Sequence, residues 1–210
     1  MDKQFIYFVK ELTHAIEHQM LATQHWHEKE PDTIEENDNA LLQLVLTQHL
    51  MNYKLWHTED IARRKDVEPS VIANCKYTID KYNQQRNDYM EQIDIYCTEA
   101  LMPIVLDCEE SERNYNSETI GMIVDRLSIL ALKIYHMKEE SERASATQEH
   151  RESCSIKLHS LEKQRNRLIQ SLLYLLKEYQ EGTKYPFIYF QHKMYNNPNL
   201  NPELYGNETK

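Results

Sequence analysis

Apolar residues in this chain recur every three or four positions over long stretches and seldom alternate, which is the period of helices rather than strands. Phe5, Phe8, Val9, Leu12, Ile16 and Met20 form the first such stripe and predict a helix from about Asp2 to His27. The acidic stretch Glu28–Asp38, with Pro31 in it, interrupts the pattern. Asp38 is placed to cap a second helix over Asn39–Arg64, with Leu41, Leu44, Met51, Leu55 and Ala62 inside. Lys65–Ser70 is a link. Pro69 suits the first turn of a third helix, which continues to about Leu101 and stops before Pro103. Ile72, Cys75, Ile79, Tyr82, Tyr89, Ile93 and Tyr96 make its inner face. After the acidic loop Asp107–Asn116, Ser117 can cap a fourth helix carrying Ile120, Ile123, Val124, Leu127, Leu130, Ala131 and Ile134. Glu142–Thr147 reads as a bend, and a fifth helix runs over Gln148–Gln180 until Gly182 ends it.

The last residues are aromatic and punctuated by Pro and Asn. Phe187, Phe190, Met194, Tyr195 and Leu200 are too apolar for a disordered end, so this tail is expected to wrap across the helices and cover an opening. The pattern predicts an all-α bundle of five principal helices over 1–182, with the tail at 183–210 packed on the same domain.

Composition sharpens this picture in three places. The 210 residues include only 3 Gly, which suits long helices better than turn-rich sheets. Lys plus Arg number 24 against 34 Asp plus Glu, for a net charge of −10, so binding to a nucleic-acid backbone is not expected. Cys75, Cys97, Cys108 and Cys154 are far apart and form no CxxC pair, which fits reduced thiols in a cytoplasmic protein. The N-terminal residues turn charged too soon for a signal peptide or a membrane span, and no other segment is apolar for long enough.

Polar residues beside the apolar stripes carry the chemistry. On the second helix His49, Asn52, Trp56, Glu59 and Arg63 follow helical spacing, and on the third Asp80, Asn83, Asn87, Glu91 and Asp94 do the same. Arg86 interrupts an apolar face, and Asp88 stands beside it. Arg126, Lys133, His136 and Glu140 form a further row on the fourth helix.

Four phrases in the chain resemble one bacterial family: WHTEDIAR from Trp56, IDKYNQQRND from Ile79, DRLSILALKIYHM over Asp125–Met137, and the tail over Lys193–Tyr205. This is the group catalogued as domain of unknown function 4254. The resemblance implies a helical domain and supplies no activity.

The residues therefore argue for themselves. Glu59, Asp60 and Arg63 can satisfy Asn83, Arg86, Asn87, Asp88, Glu91 and Asp94 across a contact between helices two and three. Such a network either fixes helix register or lines a ligand site, since sites in bundles are built from facing helices. In the ligand reading, His57, Glu59 and Asp60 are the candidate catalytic groups. Asn52, Trp56, Arg63, Asn83, Arg86, Asn87, Asp88, Arg126, Lys133 and His136 are candidate ligand contacts.

Glu91 and Asp94, one turn apart, are candidate ligands for Mg²⁺ or Mn²⁺, facing His57 and Asp60. Their ExxD spacing is similar to half of the motif in helical nucleotide pyrophosphatases, although the preceding ExxE is missing. Only Glu11-Leu-Thr-His14 matches the di-iron Glu-x-x-His pattern, which needs two copies. Arg143 and His150 have a spacing loosely like that of helical ribonucleases, and a solvated bend explains them as well. Two function classes stay open. One is a metal-assisted enzyme or binder of a phosphorylated small molecule. The other is a non-catalytic interaction protein, with a protein partner or a second copy of the chain.

Overall fold

The computed structural model describes residues 3–36, 38–105, 109, 112–192 and 197–205. Asp107 and Cys108 of the acidic loop, and Lys193, Met194 and Tyr195 of the tail, lie outside them. Five long helices and a short sixth make an all-α bundle: α1 (Lys3–Glu28), α2 (Ala40–Ala62), α3 (Pro69–Leu101), α4 (Ile120–Glu142), α5 (Gln148–Gln180) and α6 (Pro202–Tyr205).

Their ends follow local chemistry, in two places through a different residue from the one expected. Asn39 rather than Asp38 caps α2, its side-chain oxygen accepting the Leu42 N–H at 2.8 Å. Thr119 rather than Ser117 caps α4, accepting the Met122 N–H at 3.2 Å. Pro69 opens α3 after Glu68, and Thr147 caps α5. Gly182, at φ 70°, closes α5 with the left-handed residue that glycine adopts without steric cost.

α2 lies along α3, α4 along α5, and α1 bridges α2 and α4. α2 is the central rod: the six consecutive residues from Gln48 to Tyr53 are all buried. A helix enclosed on every side has no single apolar stripe. This is why the polar row of α2 read from the sequence is partly interior. The main core joins Phe8, Leu12 and Ile16 of α1 to Leu41 and Val45 of α2, Ile93 and Leu101 of α3, Val124 and Leu127 of α4, and Leu172 and Leu176 of α5. A second cluster, Trp26, Leu50, Met51, Tyr53 and Leu132, fills the region near the end of α1. Met20 is only partly buried, and the polar Gln19 and Thr23 take the interior positions of α1.

The tail crosses the segment leading into α4. The Tyr185 N–H donates to the Asn114 carbonyl at 2.7 Å, and its buried ring lies under the Arg113 guanidinium at 4.3 Å. Tyr189 donates its hydroxyl to the Asn116 carbonyl, and the Gln191 N–H reaches Glu91 on α3. Phe187, Phe190 and Leu200 are nonetheless exposed, so the sealing of the core falls to Tyr185 and not to them. Cys75, Cys97 and Cys154 are buried free thiols, and burial pushes the Cys97 thiol well up, away from reactivity. Among the described residues no helix is long and apolar enough to cross a membrane.

Candidate functional site

The buried polar network centres on Asp125 of α4, whose side chain is 6% exposed. A carboxylate so enclosed needs a full set of donors. Arg86 of α3 supplies a fork, Nε to Oδ1 at 2.9 Å and a terminal nitrogen to Oδ2 at 3.0 Å. From α2, the amides of Gln48 and Asn52 both donate to Oδ1.

Asn52 spends its other amide proton on Ser128 Oγ, which lies 2.7 Å from His49 Nδ1. His49 Nε2 lies 2.9 Å from Thr23 Oγ1, and Thr23 donates to the Gln19 carbonyl. Because Thr23 spends its own proton on Gln19, His49 must donate from Nε2 and accept Ser128's proton at Nδ1. Desolvation holds the His49 pKa down at about 3, so this ring stays neutral. The Gln19 amide closes the chain on the Val124 carbonyl. The network ties α1, α2, α3 and α4 into one register.

Beside Arg86 and Asn52, a cleft of about 340 Å³ opens between α2, α3 and α4. Its polar lining is Asn52, Glu59, Asp60, Arg63, Asn83 and Arg86, and Leu55, Trp56, Ile129 and Leu132 form its apolar walls. Seven of these ten residues were singled out from the sequence. The cations in it are engaged: Arg63 pairs with Glu59 one turn back, and Arg86 holds Asp125 and donates to Asn83 Oδ1 at 3.3 Å.

At the neighbouring end of α2 three imidazoles meet: His27 of α1, His57 of α2 and His136 of α4. One nitrogen from each lies within 4.8 Å of the others. Trp56 stacks on His136 with centroids 4.8 Å apart, Tyr135 stacks on His27 at 3.9 Å, and the Tyr53 ring meets both His27 and His57 edge-on. Burial lowers the His57 pKa, helped by its two histidine neighbours, and burial also lowers that of His136. His27 escaped the sequence reading. Its signal was its place four residues after Thr23, on a helix face already carrying the buried Gln19 and Thr23.

Other expected site residues lie elsewhere. Asp94 is buried at the start of α4, accepting the Thr119 hydroxyl and the Gly121 N–H, each at 2.6 Å. Desolvation outweighs these bonds and raises its pKa to about 6. Glu91 accepts from the tail at Gln191. The expected metal set of His57, Asp60, Glu91 and Asp94 is therefore not brought together. Asp94 sits at Gly121 and His57 at His136, and the fifteen helical steps of α4 from one contact to the other span about 22 Å. Asn87 and Asp88 do not line the cleft; Asp88 is exposed and accepts from Gln84.

Arg126, paired with Glu118, and Lys133 line a separate groove of about 630 Å³ between α4 and α5, together with Arg167. Arg143 and His150 meet on Glu140 at the exposed α4–α5 turn, an ion-pair cluster on a solvated bend. The pairing expected between the acids and cations of α2 and those of α3 is replaced by another: Glu59 and Arg63 pair within α2, while Arg86 of α3 and the amides Gln48 and Asn52 of α2 converge on Asp125 of α4.

Comparison with curated proteins and with solved structures finds no match. Among protein families, the one described as protein of unknown function (DUF4254) matches residues 42–188, which takes in α2 from Leu42 onward, α3, α4, α5, the cleft, His57 and His136. The chain belongs to that family.

Proposed function

We propose that this protein is a small-molecule-binding helical bundle whose α2–α3–α4 cleft holds a compact polar ligand against the face of Trp56. The observation that carries this reading is the cleft's construction. An ordered Arg86–Asp125 fork and two amide side chains stand opposite an apolar wall, and polar groups fixed by a surrounding network are what a selective small-ligand pocket uses.

Its acidic and basic side chains balance: Glu59 and Asp60 against Arg63 and Arg86. This favours a neutral or zwitterionic ligand over a phosphate ester. A phosphorylated ligand finds better support in the α4–α5 groove, where Lys133 and Arg167 make no ion pair among the described residues. A purely structural role for the buried network, with a protein partner elsewhere, is the competing reading. A cytoplasmic location fits either.

Trp56 supplies the test. In a Trp26→Phe variant the cleft tryptophan is the only one left, and its fluorescence reports occupancy directly. A panel of amino acids, sugars, nucleotides and sugar phosphates should yield a class that shifts this emission and raises Tm by several degrees at about a hundredfold excess over Kd. Asn83→Ala should weaken that response about tenfold. A flat panel with the folded variant would leave only the structural role.

A further inference from the structure

Histidine chemistry differs sharply between two places in this bundle. His49 is a satisfied core residue, with Thr23 on one nitrogen and Ser128 on the other. His27, His57 and His136 are not: the Nε2 of each is buried and has no hydrogen-bond partner among the described residues.

Two of these rings have their tautomer set by what they bond. His27 Nδ1 lies 2.7 Å from the Thr23 carbonyl, an acceptor only, so the neutral ring carries its proton on Nδ1 and a bare lone pair on Nε2. His136 Nδ1 lies 2.9 Å from the Glu139 carboxylate, with the same consequence. Lone pairs gathered in one buried place repel each other and lack the donor that burial demands. A shared Lewis acid answers all three.

We propose that His27, His57 and His136 form a binding site for a borderline divalent transition metal of the Zn²⁺ class. Three imidazole donors from three helices suit Zn²⁺, whereas the oxygen-seeking Mg²⁺ and Mn²⁺ do not fit this donor set. The outer contacts are those that metal-bound histidines use: a backbone carbonyl holds His27, and a carboxylate holds His136. The stacked Tyr135 and Trp56 rings restrain His27 and His136. Glu30 and Asp60 act on His57, and Asp60 also on His136, supplying negative potential for a dication.

The ligand atoms lie within 4.8 Å, against about 3.4 Å between ligands in a tetrahedral Zn²⁺ site, so closure asks for ring movements of about an ångström. Three protein ligands leave a fourth position for water or another small ligand. The site does not depend on the cleft being occupied, although Trp56 borders both.

The experiment is a calorimetric titration of tag-free, EDTA-treated and dialysed protein with Zn²⁺ alone, with Co²⁺ absorption as a second readout. One equivalent of Zn²⁺ should bind, and Co²⁺ should give the intense visible bands of a tetrahedral complex. His27→Gln, His57→Gln and His136→Gln should each weaken binding at least a hundredfold. Glu139→Gln, at an exposed position and so little able to disturb folding, should weaken it by about ten- to a hundredfold through loss of ring orientation. The exposed His14 and half-buried His18, one turn apart on α1, are the competing surface site, and His14→Gln/His18→Gln should leave the stoichiometry at one. Nitrogen-15 NMR of the unsubstituted protein should show three Nε2 resonances moving with Zn²⁺, whatever the variants do. No binding, binding that survives substitution of any of the three histidines, or binding lost with His14 and His18 would overturn the assignment.

Discussion

Gly121 stands in the first turn of α4 where that helix presses on α3. A methyl group on it would lie 2.3 Å from the Met90 carbonyl oxygen and 2.9 Å from the Asp94 carboxyl carbon. Backbone cannot yield as a side-chain tip can, so Gly121→Ala should cost roughly 3 kcal/mol, measured by urea denaturation. Asp94 beside it makes a pH-dependent prediction. Its folded pKa of about 6 lies above the ordinary aspartate value of 3.8, because burial disfavours the ionised form. The associated stability is fully present below pH 3.8 and is lost as pH rises through 6. Asp94→Asn cannot ionise. From pH 4 to pH 8 its stability relative to the unsubstituted protein should therefore improve by on the order of 3 kcal/mol, as read from paired denaturation curves. A constant difference would show that burial does not control this carboxyl.

One polar centre of this bundle cannot be satisfied by any single helix. Asp125 draws on α3 through Arg86 and on α2 through Gln48 and Asn52. Removing Arg86 strands a buried carboxylate, so Arg86→Met should cost about 3 kcal/mol or more. Arg86→Met with Asp125→Leu should cost clearly less than the two single changes summed, because the stranded charge goes too. A double-mutant cycle measures this, and additive costs would mean that the pair is not coupled in the folded state. Thr119→Ala acts at the same scale. It removes both the cap of α4 and a donor to Asp94, and should cost about 1–2 kcal/mol in urea denaturation.

Across the whole molecule, the tail is held by one side chain more than by its aromatic content. Tyr185 is buried in the main core under Arg113, whereas Phe190 is 52% exposed. Tyr185→Ala should lower stability by about 3 kcal/mol and loosen the tail, while Phe190→Ala should stay within about 0.5 kcal/mol. Thermal unfolding with limited proteolysis of both variants checks the contrast. The relation of the two proposed sites is also a whole-molecule property: Trp56 lines the cleft and stacks on His136 of the histidine cluster.

The helices themselves were legible along the chain because their causes are local. The period of Phe5, Phe8, Leu12 and Ile16, the proline at the start of α3 and the glycine after α5 act within a few residues of where they stand. Seven of the cleft's residues were legible for the same reason, being six polar groups and Trp56 on or beside the apolar stripes of α2 and α3. Caps were less so, since Asp38 and Asn39, or Ser117 and Thr119, are chemically close neighbours and only backbone geometry chooses between them. Partnership was not legible at all. Asp94 and Glu91 look like a pair one turn apart, yet one turns to α4 and the other to the tail. Arg86 finds its carboxylate 39 residues away, and His27 meets His57 and His136 only after α1, α2 and α4 have packed. Sequence periodicity determines which residues share a helix face, because that follows from backbone pitch. Which faces meet, and therefore which charges pair and which lone pairs converge, depends on the packing of the whole core, and the tertiary structure alone decides it.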